Sequence, residues 1–147
     1  MDFICLDTNV VIEYLKNKKS ASAQFILSAR NKVKLCITSI NLYELFFGPM
    51  YAGYDQEIED IKSFILWVRV LPFDERAAEI AANIDSTLHK KGKRIDLRDI
   101  FIAATCIVFD AKIITYNVSH FKVISSETEY ELIVMTPTEA LKEYNKL

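Results

Sequence analysis

The stretch FICLDTNVVIEYL, residues 3–15, places four apolar residues directly before Asp7 and an amphipathic segment directly after it. A short apolar run followed by helical spacing is typical of a buried strand that leads into a helix. A lone carboxylate buried at the end of such a strand costs on the order of several kcal/mol unless a partner compensates its charge. The stretch therefore predicts a parallel α/β unit in which Asp7 meets a partner at the end of the strand.

The rest of the chain repeats this alternation of strand and helix. Apolar runs of strand length lie at residues 3–6, 33–37, 68–73, 113–116 and 132–135. Apolar residues at helical spacing form two stripes, the first at Ile58, Ile61, Ile65 and Val68 and the second at Ala77, Ala78, Ala81, Ile84 and Leu88. The segment TPTEALKEY predicts a last helix with Thr136 as N-cap, Pro137 at its first position and Glu139 closing a capping box. This alternation predicts a three-layer α/β/α sandwich with a five-stranded parallel sheet.

The composition favours one domain that spans residues 1–147. Hydrophobic residues make up 51% of the chain and the formal net charge is −2, so binding to a polyanion would need a local patch. The cysteines are odd in number, unclustered and set among aliphatic residues, which predicts reduced core thiols at Cys5, Cys36 and Cys106. No uncharged apolar run approaches the ~20 residues of a membrane span, and no signal-peptide pattern is visible. We expect a soluble, cytoplasmic protein.

Polar side chains follow the ends of the predicted strands. Asp7 ends the first strand, and Glu44 lies within about two helical turns of the second. Asp99 begins the helix that leads into the fourth strand, and Asn117 follows that strand. These positions fall on the edge where open α/β sheets bind ligands. Three carboxylates in an apolar crevice repel one another, and a divalent cation removes that repulsion; oxygen ligands favour Mg²⁺ or Mn²⁺.

Helix capping is the alternative for each of these acids. Each lies near a predicted helix N-terminus, where a carboxylate accepts from backbone N–H groups and suits the helix dipole. Asn41 with Glu44, and Asp96 with Asp99, have the spacing of a capping box. Capping explains any one acid taken singly, whereas four polar groups on one edge favour the metal site.

Four motifs, in their order and context, resemble the PIN-domain family and within it the VapC-like toxins of toxin–antitoxin pairs. The motifs are LDTNVVIEYL (6–15), ITSINLYELFFG (37–48), KRIDLRDIFIAATCI (93–107) and IITYNVSHF (113–121), and the likeness spans about residues 4–135. The resemblance implies a metal-dependent ribonuclease with Asp7, Glu44 and Asp99 as its acidic triad. The chain departs from the pattern at Asn117, where many relatives carry Asp, and at Asp96, where many carry Gly. We expect Asp96 to cap its helix.

The resemblance and the chemistry of a metal-assisted hydrolysis suggest roles for these residues. We expect Asp7 and Asp99 to bind Mg²⁺ directly and Glu44 to ligate it or to orient the attacking water. Asn117 would orient water or the scissile phosphate. Thr8 and Asn9 are candidate phosphate contacts because they lie at a helix N-terminus.

The densest positive run is HKKGKR, residues 89–94. Its position before the third acid makes four side chains candidate contacts to the RNA backbone: Lys90, Lys91, Lys93 and Arg94. A solvated helix C-terminus with Gly92 at the cap explains the run equally well. His89 and His120 are predicted at the surface, and His120 at most touches substrate.

The aromatic-rich segment LYELFFGPMYAGY, residues 42–54, exceeds what one helix readily buries. It predicts a dimer surface or a groove for a partner peptide. The resemblance implies both a homodimer and a small antitoxin partner. Three functions stay open at this point: a toxin endoribonuclease, a housekeeping RNA-processing nuclease, and a non-catalytic PIN-fold module that binds RNA or protein. Asn117 favours the last of these, and the complete triad argues against it.

Overall fold

The computed structural model describes residues 2–145. Its parallel strands are β1 (Phe3–Leu6), β2 (Lys34–Thr38), β3 (Arg69–Leu71), β4 (Lys112–Ile114) and β5 (Val134–Met135). They form a five-stranded sheet in the order β3-β2-β1-β4-β5, so β1 lies at the centre between β2 and β4. The predicted five-stranded parallel sheet is confirmed, and the predicted strands differ from the observed ones by at most two residues at either end.

The described residues contain eight α-helices. They are α1 (Thr8–Lys16), α2 (Ala21–Ala29), α3 (Ser39–Ala52), α4 (Asp55–Phe64), α5 (Glu75–Lys90), α6 (Leu97–Val108), α7 (Val118–Glu127) and α8 (Pro137–Tyr144). Side chains of α1, α2, α4 and α8 pack in one hydrophobic cluster, and those of α5, α6 and α7 pack in another. The sheet separates the two clusters, which confirms the three-layer sandwich.

The central strand shows how the sequence builds both layers at once. Ile4 and Leu6 belong to the cluster on one face, while Cys5 between them belongs to the cluster on the other. Successive side chains of a strand point to opposite faces, so a strand covered on both sides is apolar at every position. The run is accordingly buried from Ile4 to Leu6, with Phe3 partly buried, and the first polar residue, Asp7, lies where the strand ends.

The two predicted helical stripes have different outcomes. In the second stripe, four residues are buried on α5, and Ala78 is exposed. The prediction that the first stripe forms one continuous helix face is wrong, because α4 ends at Phe64. The chain tightens there, with Leu66 N donating to Ser63 O and Trp67 N donating to Phe64 O. Val68 is buried, but it belongs to the segment that enters β3.

Three further expectations concern the cysteines, the last helix and membranes. All three cysteines are free and buried, as predicted, and burial raises the pKa of Cys36 to about 12. Helix α8 begins with the predicted capping box between Thr136 and Glu139. Among residues 2–145, no helix has the length and apolar character needed to cross a bilayer. The extent of the domain and the cytoplasmic location stay predictions.

Candidate active site

Asp7 is the hub of the polar cluster at the carboxyl ends of β1 and β4. Its side chain is almost fully buried, with a relative exposure of 8%. Oδ1 accepts from Thr8 N at 2.9 Å and from Asn41 Nδ2 at 3.2 Å, and Oδ2 accepts from Thr115 Oγ1 at 2.7 Å. Donors from three separate elements therefore compensate the buried charge. Asp7 is the N-cap of α1 and also the centre of the polar cluster. It therefore caps a helix and contacts the other polar groups of the site at the same time.

Glu44 is linked to Asp7 through the Thr8 hydroxyl and the Asn41 amide. Thr8 Oγ1 donates to Glu44 Oε1 at 2.6 Å and accepts from Asn41 Nδ2 at 3.1 Å. The other carboxylate oxygen, Oε2, lies 3.6 Å from Nη1 of Arg98. The first turn of α1 thus joins two acids that are far apart in the sequence.

The start of α3 explains why Glu44 is available to the site. Thr38 is the N-cap, and it forms a capping box with Asn41, whose Oδ1 accepts from Thr38 N at 3.0 Å. The considered capping box between Asn41 and Glu44 is therefore wrong. Strand β2 runs on to Thr38, so the helix begins at Ser39 and Asn41 takes the box position. Glu44 lies more than one helical turn beyond the N-cap Thr38, so no free backbone N–H group is left there for it to cap.

Asp99 lies in the first turn of α6 and faces the start of α7. Its Oδ2 is 3.2 Å from His120 Nδ1, and Asn117 Nδ2 lies 2.7 Å from the same nitrogen. Nδ1 donates to Asp99 only when it carries the proton, and the Asn117 amide must then present its oxygen instead. Asp96 caps α6 as expected, since its Oδ1 accepts from Arg98 N at 2.8 Å.

The pKa values of Glu44 and Asp99 reflect both burial and neighbouring charge. Burial raises the pKa of Glu44, and the charges of Asp7 and Asp99 raise it further; the Thr8 hydroxyl and Arg98 oppose this. Burial also raises the pKa of Asp99, as do the charges of Asp7 and Asp96, while His120 opposes the rise. The negative charge of Asp7 thus acts on both Glu44 and Asp99, as repulsion between nearby carboxylates requires.

The acids thus come from the end of β1, from α3 and from the first turn of α6. The same stretch of chain matches a known sequence family. The family model described as PIN domain matches residues 4–127. The chain belongs to the PIN-domain family. Its resemblance to that family is thereby confirmed.

Curated relatives place this PIN domain among the VapC-like proteins. Ribonuclease VapC2 of Haemophilus influenzae is 33% identical over 128 residues, covering 84% of this chain and 94% of that protein. The tRNA(fMet)-specific endonuclease VapC of Shigella flexneri is 31% identical over 119 residues, covering 80% of this chain and 88% of that protein.

Solved structures show the same fold. VapBC-1 from nontypeable Haemophilus influenzae is similar with a TM-score of 0.76 and 27% identity, over 92% of this chain and 98% of that one. DNA-bound VapBC from Salmonella typhimurium is similar with a TM-score of 0.80 and 25% identity, over 93% and 99%. Both similarities extend over nearly the whole of this PIN domain.

The donor set of the PIN domain fits a hard divalent cation. Carboxylates supply the oxygen ligands that Mg²⁺ and Mn²⁺ prefer, and a dication would relieve the repulsion that raises the pKa of Glu44 and Asp99. Within residues 2–145, no three His, Cys, Asp or Glu side chains are yet gathered closely enough to hold an ion. Glu44 is engaged by Arg98 and Asp99 by His120, so these two contacts hold the acids in the arrangement seen here.

The predicted phosphate contacts lie at different distances from the acids. Thr8 is in the cluster, and Asn9 is exposed on the first turn of α1. Lys91 and Lys93 pair with Glu127, at Nζ–O distances of 3.5 and 3.9 Å. Glu127 ends α7 and His120 lies near its start, so the pairs are about 10 Å along the helix from the Asp99 contact.

The other two predicted RNA contacts of the basic run are Lys90 and Arg94. Both are exposed beside the paired lysines. The structure therefore links Asp7 and Glu44 through Asn41 and Thr8, and it links Asp99 to Asn117 through His120. Two lysines of the basic run lie at the C-terminal end of α7. Asn117 is at the N-cap position of α7 and makes no capping bond with its side chain.

Four functional side chains were not assigned to the site from the sequence: Asn41, Arg98, Thr115 and His120. Asn41 and Thr115 are fully buried and donate to Asp7, and the positions themselves carried a signal. Each is a polar residue within an apolar stretch, at or just after a strand end. Arg98 is the cation of the DLRD segment, between two acids. Only the fold identifies the partner of each.

Proposed function

We propose that this chain is a cytoplasmic, Mg²⁺-dependent endoribonuclease that hydrolyses RNA phosphodiester bonds, and that it is the toxin of a VapBC-type toxin–antitoxin pair. The observation that carries the proposal is the half-buried convergence of Glu44 and Asp99 on the buried Asp7, with the pKa of both raised. Membership of the PIN-domain family and the ribonuclease activity named for its relatives support it.

Asp7, Asp99 and Glu44 would hold the Mg²⁺ ion, and Mn²⁺ can substitute for it. When bound, the ion lowers the pKa of water and stabilises negative charge on the phosphate and on the leaving oxygen. Asp7 is suited to direct ligation because hydrogen bonds from Thr115 and Asn41 fix its carboxylate before any ligand arrives. The preorganised orientation reduces the entropy lost on binding.

The protein groups around the acids supply positioning and proton transfer. Glu44 would either ligate the ion or orient the attacking water. In the second role Oε2 would accept the proton, because Oε1 already accepts from Thr8, and Arg98 would have to release Oε2. A raised pKa makes this carboxylate a better base near neutral pH. The Asn117 amide orients water or the scissile phosphate, and Thr8 and Asn9 at the N-terminus of α1 offer polar groups to a phosphate oxygen.

The first experiment is cleavage of single-stranded RNA by purified protein with Mg²⁺ or Mn²⁺. We expect cleavage that EDTA abolishes and that Asp7→Asn lowers by about a thousandfold or more, while Glu79→Gln on the exposed side of α5 leaves it unchanged. Calorimetric titration with Mn²⁺ gives a second readout, with heat of binding for the wild type and none for Asp7→Asn. Activity that survives both EDTA and Asp7→Asn rules out the proposed chemistry.

An antitoxin partner is supported by an apolar groove beside the acids. A cavity of about 440 Å³ lies between α1, α3 and α4, and Glu44 contributes to its wall. Its apolar lining includes Ile12, Leu15, Leu45, Pro49 and Ile61, and Lys16 with Glu57 and Asp60 borders it. An amphipathic segment of a small protein matches a groove of this kind.

Gly48 allows a sharp test of this groove. A Cβ atom added at Gly48 meets nothing within 4 Å, so a side chain there enters the groove without disturbing the chain. We expect Gly48→Arg to abolish co-purification with the product of the adjacent reading frame, whereas Gly48→Ala preserves it. We also expect growth arrest on expression, relieved by that product only when residue 48 is small. Arrest that no partner relieves would favour a housekeeping nuclease.

A homodimer is supported by an exposed aromatic ladder on α3. The rings of Tyr43, Phe47 and Tyr51 follow one another with centroid distances of 6.1 and 6.0 Å, and each is more than half exposed. An exposed apolar strip of this kind is typical of an interface. We expect gel filtration with light scattering to give a dimer, and Phe47→Asp to give a monomer. A wild-type monomer would remove this part of the proposal.

A further inference from the structure

Tyr116 occupies a position that the acidic cluster leaves unused. It directly follows Thr115, which donates to Asp7, and directly precedes Asn117, which contacts His120. Its side chain nevertheless remains 48% exposed, although both neighbours in the chain face the site. An aromatic ring thus lies at the border of the acidic cluster, on the side of α1 and of the first turn of α2.

The Tyr116 ring is held in one place from its two ends. The hydroxyl donates to Glu13 Oε1 on α1 and lies 3.3 Å from Ser22 Oγ on α2. The backbone is fixed on both sides, because Thr115 N donates to Met135 O at 2.9 Å and Asn117 N donates to Thr115 Oγ1 at 2.9 Å. Burial and the Glu13 carboxylate raise the pKa of Tyr116, so the hydroxyl remains a donor.

A ring that served only the fold would bury its faces. Within residues 2–145, the Tyr116 ring is neither paired with another aromatic ring nor covered by a cation, in contrast to Tyr14, which packs on Phe64 and Trp67. The Tyr116 side chain lost its conformational entropy when the protein folded. A flat partner that stacks on the ring therefore binds without a further entropy cost from this side chain.

The charges around the site indicate what kind of flat group stacks on the Tyr116 ring. The acids give the site a negative field, and two of the nearby lysines are neutralised by Glu127. Attraction to phosphates therefore supplies less of the binding energy than in a basic nuclease groove. Stacking of unpaired bases on aromatic rings is the other general source of affinity for single-stranded nucleic acid.

We infer that Tyr116 is a stacking platform for an unpaired base of the RNA substrate, next to the phosphate that lies at the acids. This inference rests on the proposed ribonuclease function and adds a specificity: the base beside the cleaved bond must be out of a duplex. Glu13 and Ser22 act as positioning residues, which hold the ring and do not touch the RNA.

The test measures binding of a labelled twelve-nucleotide adenylate RNA by fluorescence anisotropy. The protein carries Asp7→Asn throughout, so that cleavage does not interfere. We expect Tyr116→Ala to weaken binding about tenfold. Tyr116→Phe keeps the ring and stays within about threefold of the parent. Leu66→Ala, a change at an exposed apolar residue between α4 and β3, has no effect.

A ribose-phosphate strand of the same length without bases separates stacking from other losses. We expect the parent and Tyr116→Ala to bind this strand equally. An equal loss on both strands, or no loss on the adenylate, overturns the inference. Failure of the wild-type protein to cleave any single-stranded RNA overturns the proposed function instead, so the two outcomes are distinguishable. Circular dichroism and thermal melting of each variant confirm that it is folded.

Discussion

Thr8 and Glu44 are 36 residues apart in the sequence, and a hydrogen bond of 2.6 Å joins Thr8 Oγ1 to Glu44 Oε1. The same hydroxyl accepts from Asn41 Nδ2, which also donates to Asp7. The Thr8 side chain therefore holds Glu44 directly and is connected to Asp7 through Asn41. This relationship makes Thr8 a positioning residue for the cluster, beyond its location at a helix N-terminus.

Replacing Thr8 with Val should release Glu44 while preserving the shape of the side chain. A hydrogen bond to a charged group contributes about 1.5–3 kcal/mol, so we expect kcat/KM for RNA cleavage to fall by about tenfold or more. The pKa of Glu44 should rise further, because the Thr8 hydroxyl lowers it. NMR titration of the carboxyl carbon checks the shift. Thr8→Ser keeps the hydroxyl and should remain close to wild type; an equal loss in both variants would contradict the assigned role.

Thr115 should stabilise the folded protein by donating a hydrogen bond to the buried carboxylate of Asp7. It is fully buried, and its hydroxyl donates to Asp7 Oδ2 while accepting from Asn117 N. Thr115→Val removes that donor from a buried carboxylate, and we expect a loss of about 1–3 kcal/mol in the free energy of unfolding. Urea denaturation measures it. Thr115→Ser restores the donor and should recover most of the stability, which a mere packing defect would not show.

Glu44 should destabilise the fold at neutral pH. Its pKa is raised above 4.5 by burial first, so the folded state binds the proton more tightly than the unfolded state does. The sign follows from linkage: stability falls as pH rises from about 4.5 through the raised pKa, and the full cost is present above it. Glu44→Gln, which keeps an acceptor for Thr8, should raise the unfolding midpoint at pH 7 by about 2 °C.

The difference between Glu44→Gln and the wild type should disappear below pH 4, where both states protonate the acid. Thermal melts at pH 4 and pH 7 check this. The exposed Glu79→Gln on α5 is the matched control and should show no such dependence. In the proposed scheme, Mg²⁺ should raise the midpoint of the wild type more than that of Glu44→Gln. A variant that is less stable than the wild type at pH 7 would contradict the sign.

The two lysines that pair with Glu127 should matter little for cleavage. Both pairs are on the surface, so Lys91→Gln together with Lys93→Gln should change stability by less than about 1 kcal/mol. We expect a fall in kcat/KM of less than about threefold for the double variant, and about tenfold for Arg98→Gln, whose guanidinium lies 3.6 Å from Glu44. A tenfold loss with a flatter salt dependence in the lysine variant would restore these residues as RNA contacts.

The sequence by itself determined the layers of the fold and the edge at which the acids meet. Strand-length runs that alternate with helical segments predict a parallel sheet with helices on both faces, because crossovers between parallel strands are right-handed. Asp7 follows its strand directly, so its place at the sheet edge depends on local order alone. The capping box of α8 and the cap at Asp96 were likewise predictable, because their partners are within three residues.

Only the tertiary structure decided which groups surround the acids. Asn41, Thr115 and Arg98 meet Asp7 or Glu44 across 34 to 108 residues of sequence, and no local periodicity encodes such pairs. The basic run is a second example, because its sequence does not reveal that Glu127 at the end of α7 pairs with two of its lysines. Strand order and helix packing set these distances, because a polar side chain acts through the atoms it touches and not through its place in the chain.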